Sequence, residues 1–303
     1  VRVGIDSYSY HRRYGELRAG EVAAPGPTWP LTPRPVLEHA RALAVDDVFL
    51  ETCYLPAPEA LDAATLPPAA GMRIGFSWGH PWPGEAFHGL DGGRTAAAEA
   101  DLCRWIATAA RLEHPVMRIT LGSPASRGTE PASVLVARLI DPVKRAADRA
   151  AEVDLALAIE NHGDLRAQDV LEVIERAGRS NLGVTLDNVN LPRVGDDMLE
   201  GTRALAPLTL LVQLKDHPPT ADPTVWGGPI SVALGEGVAP LTEVLAILDE
   251  AGFDGPVCVE LASLGGEDVD ELAMIERSVA WLRANVPGAA HPAHPQAAEV
   301  VRG

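Results

Sequence analysis

Apolar residues along this 303-residue chain fall into two rhythms. Short, nearly unbroken apolar runs are bounded by turn residues, and between them lie longer stretches in which apolar side chains return every three or four positions. The short runs are VRVGID ending at Asp6, DVFLE ending at Glu51, RIGFSW ending at Trp78, PVMRITLG around Arg118, LALAIE ending at Glu160, LGVTLD ending at Asp187, LLVQLKD around Gln213 and PVCVE ending at Glu260. Runs this uniformly apolar predict strands buried on both faces, as in a parallel sheet covered by helices. The longer stretches supply the helices: PVLEHARAL, TAAAEADLCRWIATAARL, ASVLVARLIDPVKRAADRAAEV, AQDVLEVIERAG, MLEGTRALAPL, LTEVLAILDEAG and, after Glu260, DVDELAMIERSVAWLRANV. Several close on Gly or a basic residue, as helix ends do. Eight such units predict an α/β fold, a single (β/α)8 TIM barrel over residues 1–286; an open doubly wound sheet is the alternative.

Two stretches break the rhythm. Tyr10 to Pro35 is rich in Gly and Pro, and His80 to Arg94 carries Pro81, Pro83 and several Gly. Each follows a strand, so each is expected to wall or cover the barrel mouth. The tail 287–303, PGAAHPAHPQAAEVVRG, has no apolar face and reads as disordered, its two His-Pro pairs notwithstanding.

Composition narrows the function classes. With 25 basic and 42 acidic residues the net charge is −17, which repels phosphate backbones and anionic membranes, so no nucleic acid and no membrane partner is expected. Cys53, Cys103 and Cys258 are odd in number and widely spaced, which suggests buried reduced thiols rather than disulfides or zinc thiolates. The chain opens directly in a strand-like run, and no segment reaches the length of a membrane span; the expected location is cytoplasmic. No P-loop, dinucleotide glycine fingerprint or nucleophile elbow occurs. The acidic surface and helical outer ring allow a monomer or a homodimer.

In a barrel of this kind chemistry sits at the carboxyl ends of the strands, so polar residues that end apolar runs are informative. Glu160, Asp187, Gln213 and Glu260 do so on four successive strands. Three carboxylates brought together there need a compensating cation, and an oxygen-rich site suits Mg2+ or Mn2+ better than zinc. Each residue, taken singly, could equally cap the next helix or pair with a base. His162 follows Glu160 and could bind substrate or fix a carboxylate. Lys215 could stabilise an oxyanion or pair with Asp216. Arg118 could bind a substrate group or form a salt bridge inside the barrel. Glu51, His80 and Trp78, ending the second and third strands, are further candidates for the pocket wall. Tyr8, Tyr10, Trp29, Trp82 and Trp226 are not separable on sequence alone.

The segments AIENHG ending at Gly163, GVTLDNVN (183–190), VQLKD (212–216), LGEG (234–237) and GPVCVE (255–260), in that order and spacing, resemble the xylose-isomerase-like superfamily of sugar phosphate isomerases and epimerases. The match covers residues 155–262 well and the first half weakly. The resemblance implies one divalent metal held by Glu160, Asp187, Gln213 and Glu260, where Gln213 stands at a position the family fills with His. Gln carries a weaker donor and no titratable proton. Asn190 stands where epimerases of the family often place a substrate-binding His, which implies a diverged substrate. The implied enzyme abstracts a proton beside a carbonyl of a keto sugar or related polyol, with Glu160 and Glu260 as the catalytic pair and Mn2+ or Mg2+ as cofactor. His162, Asn190, Lys215, Arg118, His80 and Glu51 are the substrate-binding candidates. The same enolate can instead expel a neighbouring group, so a lyase or dehydratase is the alternative: dehydroshikimate-type dehydration, or cleavage of an oxidised C-glycoside with a small partner subunit. A metal-free barrel used for binding is a third reading.

Overall fold

A computed structural model describes residues 1–18, 21–61, 66, 71–80, 89–90, 96–112, 114–220, 222, 231–265 and 269–286. Eight parallel strands close into a barrel in chain order: β1 (Arg2–Asp6), β2 (Asp47–Glu51), β3 (Arg73–Trp78), β4 (Val116–Ile119), β5 (Ala156–Glu160), β6 (Leu182–Asp187), β7 (Thr209–Leu214) and β8 (Pro256–Val259). Closure is made by β1 against β8, with Val3 opposite Val257 and Ile5 opposite Val259. The helices are α1 (Arg34–Ala42), α2 (Ala96–Ala109), α3 (Pro124–Arg127), α4 (Ala132–Ala151), α5 (Ala167–Ala177), α6 (Asn190–Arg193), α7 (Met198–Leu205), α8 (Leu241–Glu250) and α9 (Glu271–Asn285). The open-sheet alternative is thereby excluded, because the first and last strands are hydrogen-bonded.

The helix faces that the periodicity marked as apolar pack outside the strands. Val170, Val173 and Ile174 of α5 and Val244, Leu245 and Leu248 of α8 are buried in one large cluster with the outward-facing strand residues. Helix ends use the expected chemistry: Asp197 and Asp270 accept the first free N–H groups of α7 and α9, and Gly178 ends α5 in the left-handed conformation. A second cluster, Phe49, Ala158, Leu211 and Cys258, draws on β2, β5, β7 and β8. Strands that far apart meet only across the barrel interior, so this cluster is the plug on which the polar mouth rests. Gly75 leaves room for the Phe49 ring, whose Cε1 lies 2.7 Å from where a Cβ would stand.

Cys258 is buried and its thiol pushed up by burial, whereas Cys53 and Cys103 are only half-buried, which corrects the expectation for those two. Among the described residues no helix is long and apolar enough to cross a membrane. Most of the second expected mouth segment (80–94), with Trp82, and also Trp226 and the tail 287–303, lie outside the described residues.

Candidate active site

The carboxyl ends of the strands surround a small polar pocket. It is lined by eight of the ten residues expected from sequence: Glu51, His80, Arg118, Glu160, His162, Asn190, Lys215 and Glu260. Asp187 and Gln213, opposite each other on β6 and β7, are fully buried and do not line it. They support its floor.

Two cations organise the carboxylates. Arg118, rising from β4, hydrogen-bonds Glu51 through Nη2 and makes an ionic contact of 3.0 Å from Nε to Glu160 Oε2. Lys215, just past β7, places Nζ 2.6 Å from Asp187 Oδ2 and 2.7 Å from Glu260 Oε1. Residues alternate across a strand, so Lys215 shares its face with Gln213 and enters the barrel. Its backbone is clamped at both polar groups: Lys215 N–H donates to Asn188 Oδ1 at 2.9 Å, and Asn188 Nδ2 donates to Lys215 O at 2.9 Å. Asn161 clamps Asp187 in the same way, at 2.8 Å in each direction. In ENHG and LDNVN the Asn following each acid thus extends the strand pairing by one amide.

Asn190 opens the single turn of α6 and completes the ring. Its Nδ2 donates to Asp187 Oδ2 and, at 3.2 Å, to Glu160 Oε1, while Arg193 donates to its Oδ1 and fixes which way the amide faces. Beneath, Asp6 Oδ2 accepts from Ser77 Oγ at 2.9 Å and from Gln213 Nε2 at 3.0 Å. Gln213 Oε1 is buried without a hydrogen-bond partner among the described residues.

These contacts bear on the metal that the resemblance implies. Asp187 Oδ2 faces Lys215 and Asn190, Asp187 Oδ1 accepts from the N–H groups of Val189 and Asn190, Glu160 is held by Asn190 and Arg118, and Glu260 Oε1 by Lys215. Gln213 offers one oxygen and directs its amide donor at Asp6. Among the described residues no three His, Cys, Asp or Glu side chains form a group able to hold a metal ion. Gln213 Oε1 and Glu260 Oε2 are buried without a hydrogen bond among the described residues, but a divalent cation reaching Asp187 Oδ2 and Glu260 Oε1 would have to displace an ammonium from those oxygens, so the residues as arranged do not fit it.

The rim is aromatic and polar. Tyr8 stacks on His11 at 5.0 Å, meets His80 edge-on at 4.8 Å and receives hydrogen bonds from Arg18. Glu16 accepts from His80 at 2.9 Å and from Tyr54 at 2.6 Å. Burial alone would raise the Glu16 carboxyl, but these donors and the Arg18 charge hold it at about 2. Glu21 ties the segment to the loop after the neighbouring strand β8, accepting from His11 and from the Leu264 N–H. The 10–35 loop therefore does wall the mouth. Tyr8 belongs to the pocket, whereas Tyr10 stacks on Trp29 and bonds His39 away from it, and Trp78 turns its indole to Asp101 of α2.

Burial sets the protonation pattern. Glu160 is pushed up to about 8 by burial, opposed by Arg118 and assisted by the charges of Glu260 and Asp187. Glu260 is raised for the same first reason, opposed by Lys215. Burial disfavours the Lys215 charge, yet Asp187 and Glu260 outweigh it and hold the ammonium above its ordinary value. His162 is pushed well below its usual value by burial; its Nδ1–H donates to Gly122 O at 2.7 Å, which fixes the tautomer of a neutral ring.

Sequence reasoning missed Arg18, Arg193 and Asp6. Arg18 lay inside the segment expected to wall the mouth, Arg193 follows Asn190 by one helical turn, and Asp6 ends β1 as Glu51 ends β2. Asp216 differs from its expected pairing with Lys215. It accepts instead from the N–H groups of His217, Gly235, Gly237 and Ala239, folding the LGEG loop around its carboxylate. A Cβ on Gly237 would stand 2.1 Å from Asp216 Oδ1 and 2.4 Å from His217 O. Gly237→Ala should therefore lower the thermal midpoint by several degrees, an overpacking cost of about 1–3 kcal/mol, read by calorimetry.

The sequence profile of the xylose isomerase-like TIM barrel family matches residues 71–285. Among curated proteins none matches the sequence. Among solved structures, a xylose isomerase domain protein from Planctomyces limnophilus is 23% identical with TM-score 0.63, over 82% of this chain and 90% of its own. A D-psicose 3-epimerase solved in the presence of D-fructose is 19% identical with TM-score 0.67, over 95% of this chain and 100% of its own. A D-psicose 3-epimerase from Clostridium cellulolyticum solved with D-tagatose is 14% identical with TM-score 0.67, over 94% and 98%. These likenesses are of fold.

Proposed function

We propose, from the premise that this chain belongs to the xylose isomerase-like TIM barrel family, that it is an isomerase or epimerase moving a proton at the carbon beside the carbonyl of a keto sugar or related polyol. The observation that carries this reading is the pair of buried carboxyls, Glu160 and Glu260, on one small pocket that also presents two fixed cations. Removing a proton beside a carbonyl places negative charge on oxygen, and buried cations already held in place stabilise it without reorganising. Glu260 takes the proton from carbon. Glu160, whose carboxyl burial pushes toward the protonated form, returns one, either to the opposite face of the same carbon or to the neighbouring carbon. The first outcome is epimerisation, the second aldose–ketose isomerisation. Tyr8, His162, Asn190 and Arg193 bring polar groups for the hydroxyls. The fold's likeness to 3-epimerases solved with D-fructose and D-tagatose supports a carbohydrate substrate. The Mn2+ or Mg2+ that the resemblance implies would have to compete with Lys215, Asn190 and Arg118, which already engage these carboxylates.

Chromatography of a ketose panel after incubation tests this reading. Conversion of one ketose into its 3-epimer or its aldose supports it; an unsaturated product points to elimination, and binding without turnover to a barrel used for recognition. The pH profile is a further expected result: activity that needs protonated Glu160 should fall as pH rises through about 8, approaching tenfold per unit above it.

A further inference from the structure

We propose that the ammonium of Lys215 is the resident cation of this barrel and that the folded protein takes up no divalent metal at Asp187 and Glu260. The geometry of the floor carries it. Nζ lies 2.6 Å from Asp187 Oδ2 and 2.7 Å from Glu260 Oε1, which makes a cation bridging two strand ends, β6 and β8, from a third, β7. The side chain is buried, and its backbone is held by both arms of the Asn188 amide, so the charge is delivered to one place. Glu160, the remaining carboxylate of the expected ligand set, is turned to Arg118 and Asn190 instead. Gln213, where imidazole would serve a metal, donates to Asp6. Each of the four expected ligands thus has another engagement through one oxygen or amide, and Lys215 holds two of them, Asp187 and Glu260. A doubly charged ion entering would meet the ammonium at contact distance and would leave Lys215 buried without partners, a cost no exposed lysine would carry.

The inference about metal uptake does not depend on which reaction the pocket performs. The part that rests on the proposed function is the role of Lys215 as the positive charge facing the enediolate oxygen. Metal uptake is read without substrate, so failure of one is distinguishable from failure of the other.

The experiment is a titration of the purified chain with MnCl2, following free Mn2+ by electron paramagnetic resonance, alongside thermal unfolding with and without MnCl2. Wild-type protein is expected to leave the free Mn2+ signal undiminished and its midpoint unmoved. Lys215→Met exposes two carboxylates to each other with no cation between them, so MnCl2 should raise the midpoint of this variant by several degrees. One Mn2+ bound per wild-type chain, lost in Asp187→Asn and no tighter in Lys215→Met, would overturn the proposal. If Lys215→Met does not fold, the wild-type stoichiometry decides alone, and Lys215→Gln repeats the thermal comparison with a milder change.

Discussion

Arg118→Met should lower stability by about 3–5 kcal/mol, a fall in thermal midpoint of roughly 10 °C, read by calorimetry. The side chain is buried and serves two carboxylates at once, hydrogen-bonding Glu51 and contacting Glu160 at 3.0 Å. Methionine fills similar space but takes the guanidinium donors from both acids and, once Glu160 ionises, its counter-charge. Burial already raises Glu51 well above the usual carboxylate range with Arg118 in place, and Glu160 to about 8. Without the guanidinium both would be held protonated over a wider range, which fixes the sign of the pH dependence. A carboxyl raised in the folded state contributes stability that is present below its unfolded value and lost as pH climbs through the folded value. The deficit of Arg118→Met is therefore smallest in mild acid and grows as pH rises toward and past about 8. Arg118→Lys should recover only part of the loss, because one ammonium does not reproduce a fork that spans two strands.

Glu160→Gln and Glu260→Gln should each reduce turnover by about 10²–10⁴-fold while leaving the fold intact, as seen by an unchanged or higher thermal midpoint. Glutamine keeps the shape and removes the proton carrier. In Glu260→Gln the Lys215 ammonium retains Asp187, and in Glu160→Gln the Arg118 guanidinium retains Glu51, so neither cation is stranded. Loss of activity with retained stability separates a chemical role from a structural one. If the two variants keep wild-type turnover, the carboxyls only balance Arg118 and Lys215.

Much of the fold was legible in the sequence because a parallel barrel buries both faces of its strands. The run LGVTLD is strand in full, and LALAIE and PVCVE end where their acids enter the mouth. Boundaries were less legible: PVMRITLG reads as one strand, but pairing stops at Ile119, and the chain then turns toward α3. Most of the pocket's membership also came through, since Glu51, Glu160 and Glu260 end apolar runs at the mouth, although Asp187 and Gln213 end theirs beneath it. Lys215 shows the limit. Its spacing from Gln213 places both on one face of β7, yet nothing in the spacing says that its ammonium rather than a metal meets Asp187 and Glu260. Asp216 shows the same limit in reverse, for a carboxylate beside a lysine reads as its partner until four backbone N–H groups claim it. Arg18 depends on a loop path and Arg193 on the single turn of α6, neither of which hydrophobic periodicity encodes.

Exchange of solvent deuterium into a panel of ketoses, followed by proton NMR with and without added MnCl2, tests the central claim most directly. The account predicts deuterium at the carbon beside the carbonyl of at least one ketose, with incorporation abolished in Glu260→Gln. Absence of exchange in every ketose under both conditions, or exchange that Glu160→Gln and Glu260→Gln both retain, would contradict it.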